Sequence, residues 1–350
     1  MRRITQITAG ALASVLLLAS CAMADGTSQS SAATSQQTIQ TVQSTQEASA
    51  ASEVDWDILP TTDVTLTDEG LAITDAGTYV LTGTSTGQVS VDSDGYVRII
   101  LDGATITSSA GAAIQIDNAE LAVIELADGS TNTVTDAATR TDEEIDGAIY
   151  SSDDLIVTIN VTSVDDGIRG KDSLSVADGT ITIDAAGDGM KSSNDSDLGQ
   201  GQLTITGGDI TISSGDDAIK AEQAVNIAGG TISVDSSVEG IEAPVIVIDD
   251  GEITVNASDD GVNASASTII TDGLGVTING GSLTIVMGYG DTDAIDSNGD
   301  LTINGGTIDI TAQSPFDFDG TGSLNGGEIT VNGELVTELT NQFMGGGPGQ

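Results

Sequence analysis

The sequence predicts an all-β chain wound as a right-handed parallel β-helix, with three short strands to each coil of about 22 residues. Three observations predict it. Apolar residues alternate over short runs, as in Leu203/Ile205 and Ile210/Ile212, with Ile219 closing the same period. A Gly-turn followed by an alternating strand recurs at Gly207-Gly208-Asp209-Ile210, Gly229-Gly230-Thr231-Ile232, Gly280-Gly281-Ser282-Leu283, Gly305-Gly306-Thr307-Ile308 and Gly326-Gly327-Glu328-Ile329. An acid, a small residue and an apolar residue recur at Asp166-Gly167-Ile168, Asp188-Gly189-Met190, Asp217-Ala218-Ile219, Glu239-Gly240-Ile241, Asp260-Gly261-Val262 and Asp293-Ala294-Ile295. One such period cannot bury its own apolar face, so neighbours must stack. Right-handed winding is the expectation from strand twist.

Taken in order, the chain opens on an address. Met1-Arg2-Arg3 is a positive start, and Ala9 to Leu18 is an apolar run too short to span a bilayer. Leu18-Ala19-Ser20-Cys21 follows, and it resembles the lipobox of bacterial lipoproteins. That resemblance implies a signal peptide over 1–20, cleavage before Cys21 and acylation there, with the exported protein anchored to the outer face of the bacterial cell membrane. The competing reading is an ordinary signal peptide cut near Cys21-Ala22-Met23-Ala24. Cys21 is the single cysteine, so no intramolecular disulfide is open to the chain. Residues 21–55 are rich in Ser, Thr, Gln and Ala and read as a flexible tether. Residues 56–340 read as the β-helix, with strands at Val64–Leu66, Thr78–Leu81, Gln88–Val91 and Val97–Leu101. Ala127 to Glu144 reads as a polar loop. The longer steps between acids place loops at Ser192–Gly201 and Ser265–Gly275, and 341–350 is a Gly-rich tail.

Composition narrows the function. The chain has 54 acidic and 8 basic residues and no His, for a net charge of −46. Nucleic-acid binding lacks its basic patch. Histidine-based triads and catalytic zinc lack their ligands.

In register, Asp166, Asp188, Asp217, Glu239, Asp260 and Asp293 form one column, flanked by Asp165, Asp216 and Asp259 one residue earlier. Neighbouring carboxylates about 5 Å apart repel by roughly 3 kcal/mol at an effective dielectric of 20. The column therefore calls for cations, and several Ca²⁺ ions suit its oxygen donors and rung spacing. The small residue after each acid would let carbonyls approach an ion. The plainer alternative is that each Asp-Gly makes a hydrated corner.

Arg169, Lys191 and Lys220 share one outward position on three consecutive coils, with Lys171 close by. They either compensate the acid column or form a strip for an anionic polymer, and Lys191 or Lys220 is the candidate for a lyase base.

The chain resembles the bacterial calcium-binding parallel β-helix proteins of the carbohydrate-binding domain-containing family. The stretches that carry the resemblance are Ala148-Ile149-Tyr150-Ser151-Ser152-Asp153-Asp154-Leu155, Asp166-Gly167-Ile168 with Lys171-Asp172-Ser173-Leu174, and Ala294-Ile295-Asp296-Ser297-Asn298-Gly299. The family's fold is related to calcium-dependent pectate lyases. The resemblance implies a monomeric, surface-anchored binder of cellulose or polygalacturonate with aspartate calcium ligands. Arg169, Lys171, Lys191, Lys220 and Tyr150 are then the candidate ligand-binding residues. Two other readings stand beside this one: a calcium-dependent polysaccharide lyase, and a surface spacer that binds nothing.

Overall fold

Each Gly-Gly turn, together with Asp250-Gly251 at the equivalent place, is a corner, and the corners lie one above another. Gly208, Gly230, Gly251, Gly281, Gly306 and Gly327 all take φ between 77° and 119°, a region that side chains with a Cβ rarely adopt. That requirement explains why Gly recurs there while the residues around it vary. The computed structural model that shows this describes residues 54–341, apart from 128–129, 140–144, 158–160, 178 and 289–291. Cys21, the signal segment and the Gly-rich stretch 342–350 lie outside the described residues.

The chain is all-β, with one short 3₁₀ turn at Trp56–Ile58. Its strands form a 20-stranded and an 11-stranded sheet, both built from parallel pairs. The antiparallel exception among the described strands is the terminal pair Glu328–Val331 and Glu334–Val336. Three parallel ladders run the length of the molecule. The first carries Ser173–Val176, Gln202–Ile205 and the start of Ala224–Ser237. The second carries Thr180–Ala185, Asp209–Ser214 and the end of Ala224–Ser237. Long strands turn the corner between these two ladders, which joins them into the larger sheet. The third ladder, the 11-stranded sheet, holds Asp166–Gly170, Met190–Ser192, Ile219–Ala221 and their successors.

Every ladder presents alternate residues inward, because successive side chains of a strand point to opposite faces. Ile168, Met190, Ile219, Ile241, Val262, Ile295 and Phe316 stack in register along the third ladder and are 0–1% exposed. Ile210, Ile232, Ile253, Leu283 and Ile308 do the same on the second. Burying each such side chain contributes about 1.5–3 kcal/mol relative to leaving it in water. The result is one continuous aliphatic core with few aromatics, as the composition requires.

Two elements differ from the sequence expectation. Thr133–Thr135, read as part of a loop, is a strand on the second ladder, and Val134 is fully buried. A three-residue strand with one apolar residue leaves little pattern among polar neighbours. Val54, read as tether, packs together with Trp56 on Leu121, Val123 and Ile156. The loops expected at Ser192–Gly201 and Ser265–Gly275 are present, except that Ser192 ends the strand Met190–Ser192 and Gly275 begins the strand Gly275–Ile278.

Candidate functional site

The acid column is real and in register. Backbone bonds run from Gly167 N–H to the Asp188 carbonyl, Gly189 to Asp217, Ala218 to Glu239, Gly240 to Asp260 and Gly261 to Asp293. Asp166, Asp188 and Asp260 also clamp the next coil. The Asp188 N–H donates to Asp166 Oδ1 at 2.9 Å, the Asp217 N–H to Asp188 Oδ1 at 3.0 Å, and the Asp293 N–H to Asp260 Oδ1 at 2.9 Å. Asp166, Asp188 and Asp217 are 2–3% exposed. Of the flanking set, Asp165 is half-buried, while Asp216 and Asp259 are exposed.

The small residue after each acid has a packing cause. A methyl added at Gly189 would sit 2.5 Å from Ile212 Cγ2 and 2.6 Å from the Ala218 carbonyl oxygen. At Gly261 it would meet the Ala294 carbonyl at 2.5 Å and Ile285 Cγ2 at 2.6 Å. These positions are small because the next coil and the core lie against them, a packing cause that the sequence reading did not name.

The three basic residues do align, as Arg169↔Lys191↔Lys220. Their charges turn back onto the protein. Lys191 Nζ lies 2.6 Å from Asp188 Oδ2 and 3.5 Å from Asp166 Oδ2. Lys220 Nζ lies 2.5 Å from Asp217 Oδ2 and also pairs with Glu242. Arg169 pairs with Asp146, donates from Nε to Ser193 Oγ at 2.9 Å, and lies over the Tyr150 ring at 5.9 Å. Lys171 is exposed. At this end of the column the protein's own cations face the acids. Burial pulls the Lys191 and Lys220 ammonium groups down, but the paired carboxylates outweigh it and hold both pKa values above the ordinary lysine range. A general base needs the opposite shift.

The outward line does not stop at Lys220. It continues in register through Glu242, Asn263, Asp296 and Asp317. Sequence reasoning named the cations of this line and passed over the acids. Glu242, Asn263 and Asp296 were within reach, since each follows its motif at the same place as Lys220. Asp317 was harder, because Ser314 stands where that repeat's acid belongs.

This second half has a different electrostatic character. Burial lifts the Asp296 carboxyl to about 7, and its charged neighbours Asp260, Asp317, Asp293 and Asp319 are all acids that add to the rise. Burial likewise lifts Asp260 to about 6, and lifts Glu239 to about 7 with help from Glu242. Asn263, 8% exposed, donates its amide to Glu239 Oε2 at 3.0 Å. The buried Asn263 Oδ1 and Asp317 Oδ1 accept no hydrogen bond. Two further groupings bring carboxylate oxygens within 4.8 Å of one another: Asp188, Asp216 and Asp217, and Asp217, Glu239 and Glu242. Beside them a groove of ≈ 270 Å³ lies between Lys220, Glu242 and the loop at Ser265–Thr268.

Among known proteins, the chain is 33% identical over 133 residues to a carbohydrate-binding domain-containing protein of Acetivibrio thermocellus. That match spans 34% of this chain and 46% of the relative, less than half its length. A solved structure, the polysaccharide lyase-like protein from C. thermocellum as a gadolinium derivative, aligns over 78% of this chain and 94% of its own, at 22% identity and a TM-score of 0.40. The model of the carbohydrate-binding domain-containing family matches residues 67–158, 156–291 and 225–333, which together take in most of the ladder-forming region. The chain belongs to the carbohydrate-binding domain-containing protein family.

Proposed function

We propose that this protein is a polysaccharide-binding, right-handed parallel β-helix that displays its ligand track on the third ladder. The observation that carries the reading is the straight outward line Tyr150, Arg169, Lys191, Lys220, Glu242, Asn263, Asp296 and Asp317. It advances one polar side chain per rung, at about 4.8 Å, along a family-matched domain. A linear track of repeated polar contacts suits an extended polymer, whose many weak contacts add through multivalency. An acidic glycan such as polygalacturonate, or cellulose, is the substrate class of this reading.

Calcium belongs to the proposal, and its place is the lysine-free half. Asp260, Asp293, Asp296 and Asp317 offer hard oxygen donors, and the carbonyl oxygen of Asn263 accepts no hydrogen bond. These residues would hold the ion, and the ion would supply positive charge by which an acidic protein meets an acidic glycan. The lysine-bearing half brings carboxylates closer together, as Asp188, Asp216 and Asp217 and as Asp217, Glu239 and Glu242, but Lys191 and Lys220 already face the oxygens of Asp166, Asp188, Asp217 and Glu242 there, so it is the rival site. Anchoring through Cys21 to the cell surface completes the reading, with a single chain as the working unit.

The test is a pull-down on immobilised polygalacturonate and on cellulose, with calcium and with chelator, while absorbance of unsaturated uronides is followed in parallel. Calcium-dependent retention without uronide release is the expected result. Release of unsaturated uronides would favour a lyase instead. No retention on either polymer would reduce the protein to a spacer.

A further inference from the structure

We propose that the groove between Lys220 and the Ser265–Thr268 loop is a subsite for one amino sugar residue, whose free ammonium group pairs with Glu222 while its hydroxyls meet the loop. The inference rests on the polysaccharide reading of the third ladder and names a second sugar class for one place beside it.

The two long loops leave the third ladder at the same corner. One follows Met190–Ser192 and the other follows Val262–Ala264. The coils between them carry no loop. Ile219–Ala221 reaches the first ladder through Glu222 and Gln223 alone, and Ile241–Glu242 reaches it through Ala243 and Pro244. Lys191, Lys220, Glu242 and Asn263 are successive rungs, so the loop-bearing coils stand about 14 Å apart at about 4.8 Å per rung. Two coils with loops thus flank two without, and the groove of ≈ 270 Å³ lies in the gap, closed on one side by Ser265–Thr268.

Floor and walls are held in place. The Gln223 side chain accepts the Gly199 N–H at 2.9 Å and donates to the Asp197 carbonyl at 2.7 Å, which ties down the first loop. In the second loop the Ile270 N–H donates to Ser267 Oγ at 3.2 Å, and the Ser267 N–H donates to the Ile270 carbonyl at 3.0 Å. Ile270 is 3% exposed, so its side chain pins that turn to the domain. On the floor the Glu222 N–H donates to the Ser192 carbonyl and the Ala243 N–H to the Asn263 carbonyl, and Pro244 is buried. A site formed in advance loses little conformational freedom when a ligand enters.

Size and chemistry select the occupant. The volume lies at the small end of ligand pockets, which run from about 300 to 1,000 Å³, so it suits a single ring rather than a run of the polymer. Lys220 is already held by Asp217 and Glu242, and Glu242 also accepts Ser265 Oγ at 2.7 Å. Glu222 is different. It is half-buried, and its carboxylate makes no hydrogen bond or ion pair with another described residue. Burial raises its pKa; Lys220 and Lys191 oppose the rise, and Asp195 and Glu242 add to it. A carboxylate drawn out of water is stabilised by a cation that also donates hydrogen bonds. A uronate would set its charge against Glu222, Glu242 and Asp195. A neutral sugar would leave Glu222 without a countercharge. An ammonium group supplies charge and donors together. The rest of the ring finds hydroxyls: Ser265 Oγ can still accept, Ser267 Oγ can still donate, and Thr268 is exposed. The groove opens beside the outward line of the third ladder, so the residue it holds hangs off the main chain as a branch.

Calorimetric titration of the full chain tests this with a tetramer of β-linked glucosamine, at mildly acidic pH where its amines are charged. Its N-acetylated counterpart, cellotetraose and an oligolysine peptide are titrated beside it. The glucosamine tetramer is expected to bind at least about tenfold more tightly than each of the others. Glu222→Gln is expected to weaken it by about tenfold or more, the scale of one hydrogen bond to a charged group. Ala266→Trp, which adds bulk at an exposed position of the groove wall, is expected to abolish it. Glu334→Gln, an exposed acid at the far end of the chain, controls for the general pull of an acidic protein on a cation and is expected to change nothing. Melting curves confirm that each variant is folded. Equal binding of the acetylated tetramer, cellotetraose or oligolysine would overturn the subsite, as would no binding of the glucosamine tetramer or equal losses in Glu222→Gln and Glu334→Gln. If polygalacturonate or cellulose still retains the protein in those cases, this inference alone fails; if neither polymer does, the polysaccharide reading fails with it.

Discussion

Asp188 Oδ1 accepts the backbone N–H of Asp217, 29 residues further along the chain and one coil down, at 3.0 Å. Its other oxygen holds Lys191 Nζ at 2.6 Å. One buried carboxylate thus fixes the stacking of two coils and the position of a cation. Hydrogen bonds to charged groups contribute about 1.5–3 kcal/mol. Asp188→Ala is expected to cost at least that range, measured by urea denaturation. Asp188→Asn keeps an acceptor oxygen and is expected to cost less. Equal losses for the two variants would show that the bond to the Asp217 N–H contributes nothing.

Gly189 gives a second, sharper expectation. Gly189→Ala forces a methyl against Ile212 and the Ala218 carbonyl. Overpacking of this kind costs about 1–3 kcal/mol. A neutral effect on the denaturation midpoint would mean that the coils yield there.

The pH dependence follows from the buried acids. In the ion-free fold, burial raises Asp166 and Asp296 to about 7, Glu239 to about 7 and Asp260 to about 6, against ordinary values of 3.8 for Asp and 4.5 for Glu. Between about pH 4 and pH 7 the folded state therefore holds more protons than the unfolded chain. Stability falls with rising pH wherever the native state binds more protons. Thermal melts of metal-free protein are expected to show a lower Tm at pH 8 than at pH 5. A Tm that rises over this range would contradict the sign of the shifts.

Much of this was legible in the sequence, and the parts that were not share a cause. The inward column from Ile168 to Ile295 follows from spacing alone, because a ladder fixes register and register fixes side. The cations at 169, 191 and 220 were aligned on the same logic. Their partners were not readable: that Lys220 turns toward Asp217 and Glu242 depends on side-chain reach, not on pattern. Asp317 escaped because Ser314 and Pro315 replace the acid and small residue of its motif. The packing of Val54 and Trp56 escaped because the face they cover, Leu121, Val123 and Ile156, belongs to coils far along the chain. A period in the chain reports on stacking between repeats and is silent on what crosses them.

Calcium, if held as proposed, reverses the pH effect. Ligand carboxylates must give up their protons, so binding releases protons and its affinity grows with pH. At pH 8 the ion is expected to raise Tm, equivalent to about 2.7 kcal/mol at a hundred times Kd. Asp296→Asn with Asp317→Asn should remove most of that gain, whereas Asp188→Asn should leave it largely in place. A gain that survives the first pair and disappears with Asp188→Asn would move the ion to the lysine-bearing half.

The binding face is best probed through residues outside the buried ion pairs. Neutralising Lys191 or Lys220 strips partners from Asp188, Asp217 and Glu242, so any loss of binding would be confounded by a loss of stability. Lys171 is exposed, and Tyr150 offers a half-buried ring beside Arg169. Exposed charge contacts are worth about 0.2–1 kcal/mol each, so removing one weakens a single site by up to about fivefold. Over a polymer that meets several rungs at once, such losses multiply through effective concentration. Lys171→Ala combined with Tyr150→Ala is therefore expected to weaken retention on polygalacturonate more than either change alone, at a smaller cost in Tm than the loss of Lys191 or Lys220. The weakening should be greater at low salt, where exposed charges are less screened. Lys191→Ala and Lys220→Ala, by contrast, should lower Tm before they alter binding. If the Lys171 and Tyr150 double variant is retained as fully as the parent protein at low salt, the ligand runs along a different ladder, and the groove between Lys220 and the Ser265–Thr268 loop becomes the next surface to test.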